Sequence, residues 1–128
     1  GAPTFIQLSG VAALEHWPDV MTPIVKVYER RRDRMIEGLA KLGWQVPRPK
    51  ATMYVWAPLP EPFKSMGSLA FAEKLLRETG VVVAPGVGFG DGGEGFIRMA
   101  LVTHDNRFHD ALLRFKKLLA SPKMKTRV

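Results

Sequence analysis

Apolar residues recur at two spacings along this chain, and the changes between them mark its elements. Steps of three and four predict a helix over residues 5–17, through Ile6, Ser9/Gly10, Ala13 and Trp17, with Thr4 after Pro3 as the capping hydroxyl. His16-Trp17-Pro18-Asp19 breaks it, because proline disfavours helix at the residue before it. A second helix is predicted over 23–42, with Thr22 as N-cap, Pro23 at the first helical position and Gly43 as a left-handed stop. Its stripe is Ile24, Tyr28, Arg31, Met35, Leu39 and Leu42. Arg31 interrupts the stripe. An arginine there lays its stem on the apolar face and carries its head to water or to an acid, with ligand binding the rarer alternative. A helix of this length, about 30 Å, is long enough to bridge two lobes.

Period two follows. Residues 44–46 and 52–57 read as short strands separated by Pro47-Arg48-Pro49-Lys50. In the second, Met53, Val55 and Ala57 alternate with Tyr54 and Trp56, which predicts a strand covered on both faces. Pro58, Pro60 and Pro62 then force an irregular connection to Ser68, the predicted cap of a helix over 69–79 with a Leu69, Ala72, Leu75/Leu76 face and Gly80 as its stop. Residues 81–84 and 96–102 are apolar runs flanking a loop with six glycines between Gly86 and Gly95. A last helix starts at Asp105 as cap, buries Phe108, Leu112, Phe115 and Leu119, and ends by Pro122. The order is α-α-β-β-α-β-β-α. It predicts an α+β fold, a small mostly antiparallel sheet covered by helices and preceded by a long helix.

Composition narrows the classes. The chain has 128 residues, 46% hydrophobic and 24% charged, enough for one ordinary core. The absence of cysteine excludes a disulfide scaffold, a Cys-type zinc site and a thiol nucleophile, and suits a reducing compartment. No apolar run approaches the roughly 20 residues of a membrane span. The net charge of +7 raises nucleic acid as a partner. The excess concentrates in Arg30-Arg31-Arg32 with Arg34 and in residues 116–127, without the interleaved aromatics of a single-strand binder, so a solvated basic face is the better reading. The small-residue segment 6–14 suits close packing on another element, as in a piece of a longer protein.

Two features invite chemistry. Gly88-Phe89-Gly90-Asp91-Gly92-Gly93 satisfies G-x-G-x-x-G, but the next element is a strand where a phosphate loop needs a helix N-terminus. Turns demanding positive φ account for the glycines better. Arg98 is the sharper signal, a lone cation inside an apolar strand, sharing a face with Phe96, Ala100 and Val102. A guanidinium on a covered sheet face needs an anionic partner. Either an internal acid, Glu94 or Asp91, or a ligand carboxylate fills that need. The remaining candidates are weaker. His16, His104 and His109 have no metal-type spacing, Ser65, Ser68 and Ser121 lack a nucleophile elbow, and no lysine lies in an apolar pocket-like stretch.

Several motifs then fall in order. They are Tyr28 with Arg31-Arg32-Asp33 and Gly38-Leu39, Ala51-Thr52-Met53-Tyr54-Val55-Trp56, V-x-V-x-P-G-x-x-F-G from Val81 to Gly90, and Gly93-Glu94-Gly95-Phe96-Ile97-Arg98. With them the chain resembles, over residue 4 to about 119, the C-terminal part of class I/II (fold-type I) aminotransferases, enzymes that use pyridoxal 5′-phosphate. The wording is most similar to alanine and LL-diaminopimelate-type enzymes. The resemblance implies that Arg98 pairs with the α-carboxylate of an amino-acid or 2-oxo-acid substrate in a cytoplasmic homodimer. It divides the chain into 1–21, a remnant of the large domain's edge; 22–43, the interdomain helix; 44–120, the small domain; and 121–128, a tail. Residues 1–7 resemble the stretch that approaches the neighbouring subunit's cofactor. The Schiff-base lysine, the acid on the pyridine nitrogen and the phosphate ligands belong to the family's large domain. The resemblance therefore implies that this chain alone carries no catalytic, cofactor-binding or metal residue, and neither holds the cofactor nor transaminates. The rival readings are a free-standing α+β module whose arginine captures a carboxylate and, further off, a basic nucleic-acid-binding domain.

Overall fold

The computed structural model describes residues 1–120, so the predicted stop at Pro122 and the tail lie outside the described residues. Four helices and three short strands appear in the order α1 (Thr4–Glu15), α2 (Trp17–Lys41), β1 (Tyr54–Pro58), α3 (Ser68–Thr79), β2 (Ala84–Pro85), β3 (Phe96–Ala100) and α4 (Asp105–Ala120). The sheet is wholly antiparallel, with β3 between β1 and β2. This is the α+β arrangement expected from the pattern.

Helix α2 begins five residues earlier than Thr22. Pro18 occupies its first turn and Pro23 lies inside it. A proline six residues into a helix removes one amide, the one that would reach the Asp19 carbonyl, and that residue lies exposed, where the carbonyl is open to solvent. The predicted break is therefore one residue wide, at His16, the C-cap of α1. The far end behaves as expected. Gly43 has φ 78°, its N–H bonds the Ala40 carbonyl at 3.0 Å, and Trp44 N–H bonds Leu39 at 3.0 Å, which is a Schellman stop.

That stop explains why residues 44–46 are not a strand. The Trp44 amide closes the helix, its indole N–H donates to the Pro58 carbonyl at 2.8 Å, and its ring meets Phe71 and Phe115 edge-on. Trp44 works as a plug between layers. Residues 81–83 likewise stay outside the sheet, because only Ala84 and Pro85 pair with Arg98 and Ile97.

One core lies between the inner sheet face and α2, α3 and α4. Val55, Ala57, Ile97, Met99 and Leu101 face Leu39, Phe71, Leu75 and Phe115, all buried. Helix α3 buries Ser68, Phe71, Ala72, Leu75 and Thr79, while Leu69 and Leu76 of the predicted face are exposed. Helix α4 seats Leu112 against Gly38, where a Cβ would lie 2.3 Å from Leu112 Cδ1. Among the described residues no layer covers the outer sheet face, so β1 is covered on one side only and Trp56 is 36% exposed. Helix α1 buries nothing. Phe5, Ile6, Leu8, Val11 and Leu14 are all exposed, as are Trp17, Val20 and Ile24 on the first half of α2.

Candidate functional site

The outer sheet face carries Arg98. Its inward neighbours Ile97 and Met99 are buried, and the period-two geometry of β3 turns Arg98 the other way, opposite Trp56 of β1. The guanidinium carbon lies 4.2 Å from the Tyr54 ring centroid and 4.4 Å from that of Phe89. Trp56 packs edge-on against Phe89 at 5.6 Å and stacks with Phe96 at 5.7 Å. An aromatic platform thus surrounds one cation. Contacts of this kind attract the cation through the ring faces and, unlike an acid, supply no carboxylate to pair with its N–H donors.

Neither acid near Arg98 in sequence reaches it. Among the described residues no carboxylate lies in salt-bridge range of Arg98. Glu94 turns to the start of α3 instead. One of its oxygens accepts from Ser68 N–H at 2.6 Å and from its neighbour Gly95 N–H at 2.8 Å, and the other accepts from the Ser68 hydroxyl at 3.1 Å. The backbone donors of Gly95 and then Ser68 hold the Glu94 carboxyl below its usual range. The cap of α3 is therefore Glu94 acting from another loop. Ser68 is the first residue of the helix and the preceding Gly67 carries φ 83°. Of the two partners open for Arg98, the internal acid is not the one present.

The same contacts fix the glycine loop. Ser68 Oγ also accepts from Val87 N–H at 3.1 Å. Residues 86–93 form two 3₁₀ turns, over Gly86–Phe89 and Asp91–Gly93, that fold back on each other. A Cβ on Gly86 would sit 1.9 Å from the Gly93 carbonyl oxygen, and one on Gly93 would sit 2.0 Å from that of Gly86. Close backbone approach, more than positive φ, requires these two glycines. Positive φ applies to Gly90 (107°) and Gly95 (82°), and neither reason applies to Gly88 or Gly92. The loop holds Phe89 over Arg98.

The other candidates disperse. Arg31 is structural, with Nε donating to Asp105 at 3.1 Å and Nη1 donating to the Leu101 carbonyl at 3.0 Å. Arg30 and Arg34 bond the same carboxylate, which is thereby held below its usual range, the Arg31 hydrogen bond first. Asp105 thus serves the arginines. Arg32 bonds Asp33 and Glu29. His16, His104 and His109 are exposed on separate elements, and among the described residues no group of His, Asp and Glu is arranged to hold a metal. Ser65 is exposed and Ser68 is committed to the loop, while Ser121 lies outside the described residues.

The described lysines are exposed, apart from Lys74, which is half-buried and paired with Glu78. None sits in an enclosed apolar site of the kind that makes a Schiff-base nucleophile. No described lysine therefore offers the Schiff-base position that pyridoxal phosphate needs.

Residues 2–114 match the family model for aminotransferase class I and II. The chain belongs to this family. It is 46% identical over 118 residues to glutamate-pyruvate aminotransferase AlaC of Escherichia coli, covering 92% of this chain and 29% of that protein. It is 45% identical over 114 residues to an LL-diaminopimelate aminotransferase of Dehalococcoides mccartyi, covering 89% and 29%. The solved aromatic aminotransferase of Pyrococcus horikoshii superposes with a TM-score of 0.81 at 30% identity, over 91% of this chain and 31% of that one. The chain spans about 29% of the length of these curated relatives. The aromatic platform was missed in the sequence, although Phe89 stands in the P-G-x-x-F-G string and Tyr54 and Trp56 occupy the face opposite Val55 and Ala57.

Proposed function

We propose that this chain is the substrate-carboxylate half of an aminotransferase active site. Arg98 holds the α-carboxylate of an amino acid or of the matching 2-oxo acid in a two-pronged pair. The observation that carries this reading is the Arg98 guanidinium itself, set on an uncovered sheet face between two rings, with no acidic partner among the described residues. A planar fork that is always charged suits a carboxylate. Holding that carboxylate fixes the α-carbon, which is a positioning contribution to catalysis.

The whole protein, on this reading, moves an amino group between an amino acid and a 2-oxo acid of the alanine or LL-diaminopimelate kind. The similarity to AlaC and to the diaminopimelate enzymes supports that choice. Pyridoxal phosphate and its lysine reside in the large domain, outside this chain, and the chain alone does not transaminate. The exposed apolar surface of α1 and of the first half of α2 meets that large domain, and the full-length protein works as a homodimer.

The test is Arg98→Lys in the full-length protein. Lysine keeps the charge and loses the fork, so KM should rise for every amino-acid and 2-oxo-acid substrate alike, by roughly ten- to a hundredfold, the worth of one lost hydrogen bond to a charged group. Unchanged KM values would refute the assignment. A protein that proved to bind nucleic acid with the same affinity before and after the substitution would favour the rival reading.

A further inference from the structure

We infer that Phe89 is a positioning residue for Arg98, and that the Ser68–Glu94 contact holds Phe89 there. The inference rests on Arg98 binding a carboxylate, and it extends that reading to residues that touch no substrate.

An arginine side chain carries about 2 kcal/mol of rotamer entropy, which binding must overcome unless the guanidinium is already in place. Nothing ionic places it here, since no carboxylate among the described residues reaches it. The Tyr54 and Phe89 rings do so at 4.2 and 4.4 Å. They attract the cation through their ring faces without carrying a carboxylate of their own, so its donors stay open to a carboxylate fork. An acid in the same position would have competed with the substrate for those donors. Rings do not compete.

Tyr54 sits on a sheet strand, whereas Phe89 sits at the end of a 3₁₀ turn in the glycine loop. Its place depends on what anchors that loop. The buried Ser68 hydroxyl donates to Glu94 and accepts from Val87 N–H, two residues before Phe89. Gly86 and Gly93 lock the loop's two limbs back to back. A path of contacts therefore runs from the start of α3, through Ser68, Glu94 and Val87, to the ring over Arg98. Phe89 is 51% exposed, so shortening it leaves the core intact.

The experiment uses the full-length enzyme with Arg98→Lys, Phe89→Leu, Phe89→Tyr and the double variant Arg98→Lys/Phe89→Leu. KM and kcat are measured for an amino acid and its partner oxo acid, and propionate is titrated calorimetrically as a carboxylate that cannot react. Phe89→Leu should raise KM for both substrates and the propionate Kd together, about fivefold, the size of a partly desolvated cation–π contact, while kcat changes little. Phe89→Tyr should restore the wild-type values. In the double variant Phe89→Leu should add nothing to Arg98→Lys, because the two act through one contact. Full additivity, or a Phe89→Leu enzyme with unchanged propionate affinity beside a weakened Arg98→Lys enzyme, would overturn the inference and leave the carboxylate assignment standing. Unchanged affinity in Arg98→Lys itself would overturn the assignment and the inference with it.

Discussion

Arg31 Nε donates to Asp105 Oδ1 across 3.1 Å, while Nη1 of the same guanidinium donates to the Leu101 carbonyl at 3.0 Å. One side chain thus ties the middle of α2 to the first turn of α4 and to the chain just beyond β3. The strand that presents Arg98 is held against the long helix by this fork. The Arg31 guanidinium also lies 5.7 Å from the Tyr28 ring centroid and 5.8 Å from that of Phe108.

Replacing Arg31 with methionine keeps the stem and deletes the fork. Its side chain is 16% exposed, so the loss is expected to destabilise the protein by about 1–3 kcal/mol, read as a lower denaturation midpoint in urea. Arg31→Lys should recover only part of this, since a single ammonium does not reproduce the planar fork.

Three carboxyls titrate below their usual range for stated reasons: Asp105 through the Arg31 hydrogen bond, Asp33 through that of Arg32, and Glu94 through the backbone donors of Gly95 and Ser68. Each has a lower pKa folded than unfolded. Their contribution to stability is therefore complete above the ordinary carboxylate range, about pH 4, and is lost as pH falls through the folded values. Glu94→Gln should be less stable than the parent at neutral pH, and the gap should close as the solution is acidified below that range. A gap that widened on acidification would contradict the hydrogen-bonding pattern at the start of α3.

Within the glycine loop, individual positions should separate sharply. Gly86→Ala and Gly93→Ala each drive a Cβ to within about 2 Å of a backbone oxygen that has no rotamer to escape to, whereas Gly88 and Gly92 face open space. The first pair should lose stability on the order of 1–3 kcal/mol or more, and Gly88→Ala and Gly92→Ala should change it little. Thermal unfolding of the four variants checks this.

How far the sequence carried these conclusions varies by element. The Gly43 and Gly80 stops and the inward set Ile97, Met99 and Leu101 were readable, because period and glycine chemistry act locally. The start of α2 was misread because Pro18 and Pro23 are equally good first-turn prolines, and the structure accommodates both in one helix. Residues 44–46 have strand composition, yet strand formation needs a free ladder partner, and the amide of Trp44 closes α2 instead. Ser68, Glu94 and Phe89 were beyond local reading, since 26 residues separate Ser68 from Glu94 and only the folded chain shows which acid caps which helix. For Arg98, local chemistry left an internal acid and a ligand carboxylate both open and the family resemblance implied the carboxylate, while the absence of an acidic partner among the described residues emerged only in three dimensions.

If Arg98 recognises a carboxylate, removing that carboxylate from the ligand removes the effect of substituting Arg98. In the full-length enzyme, the Kd of alanine and of ethylamine, the same amine without the carboxylate, is measured in the parent and in Arg98→Lys. The substitution should weaken alanine by roughly ten- to a hundredfold and leave ethylamine unchanged. Equal losses for both ligands, or no loss for alanine, would contradict carboxylate recognition by Arg98.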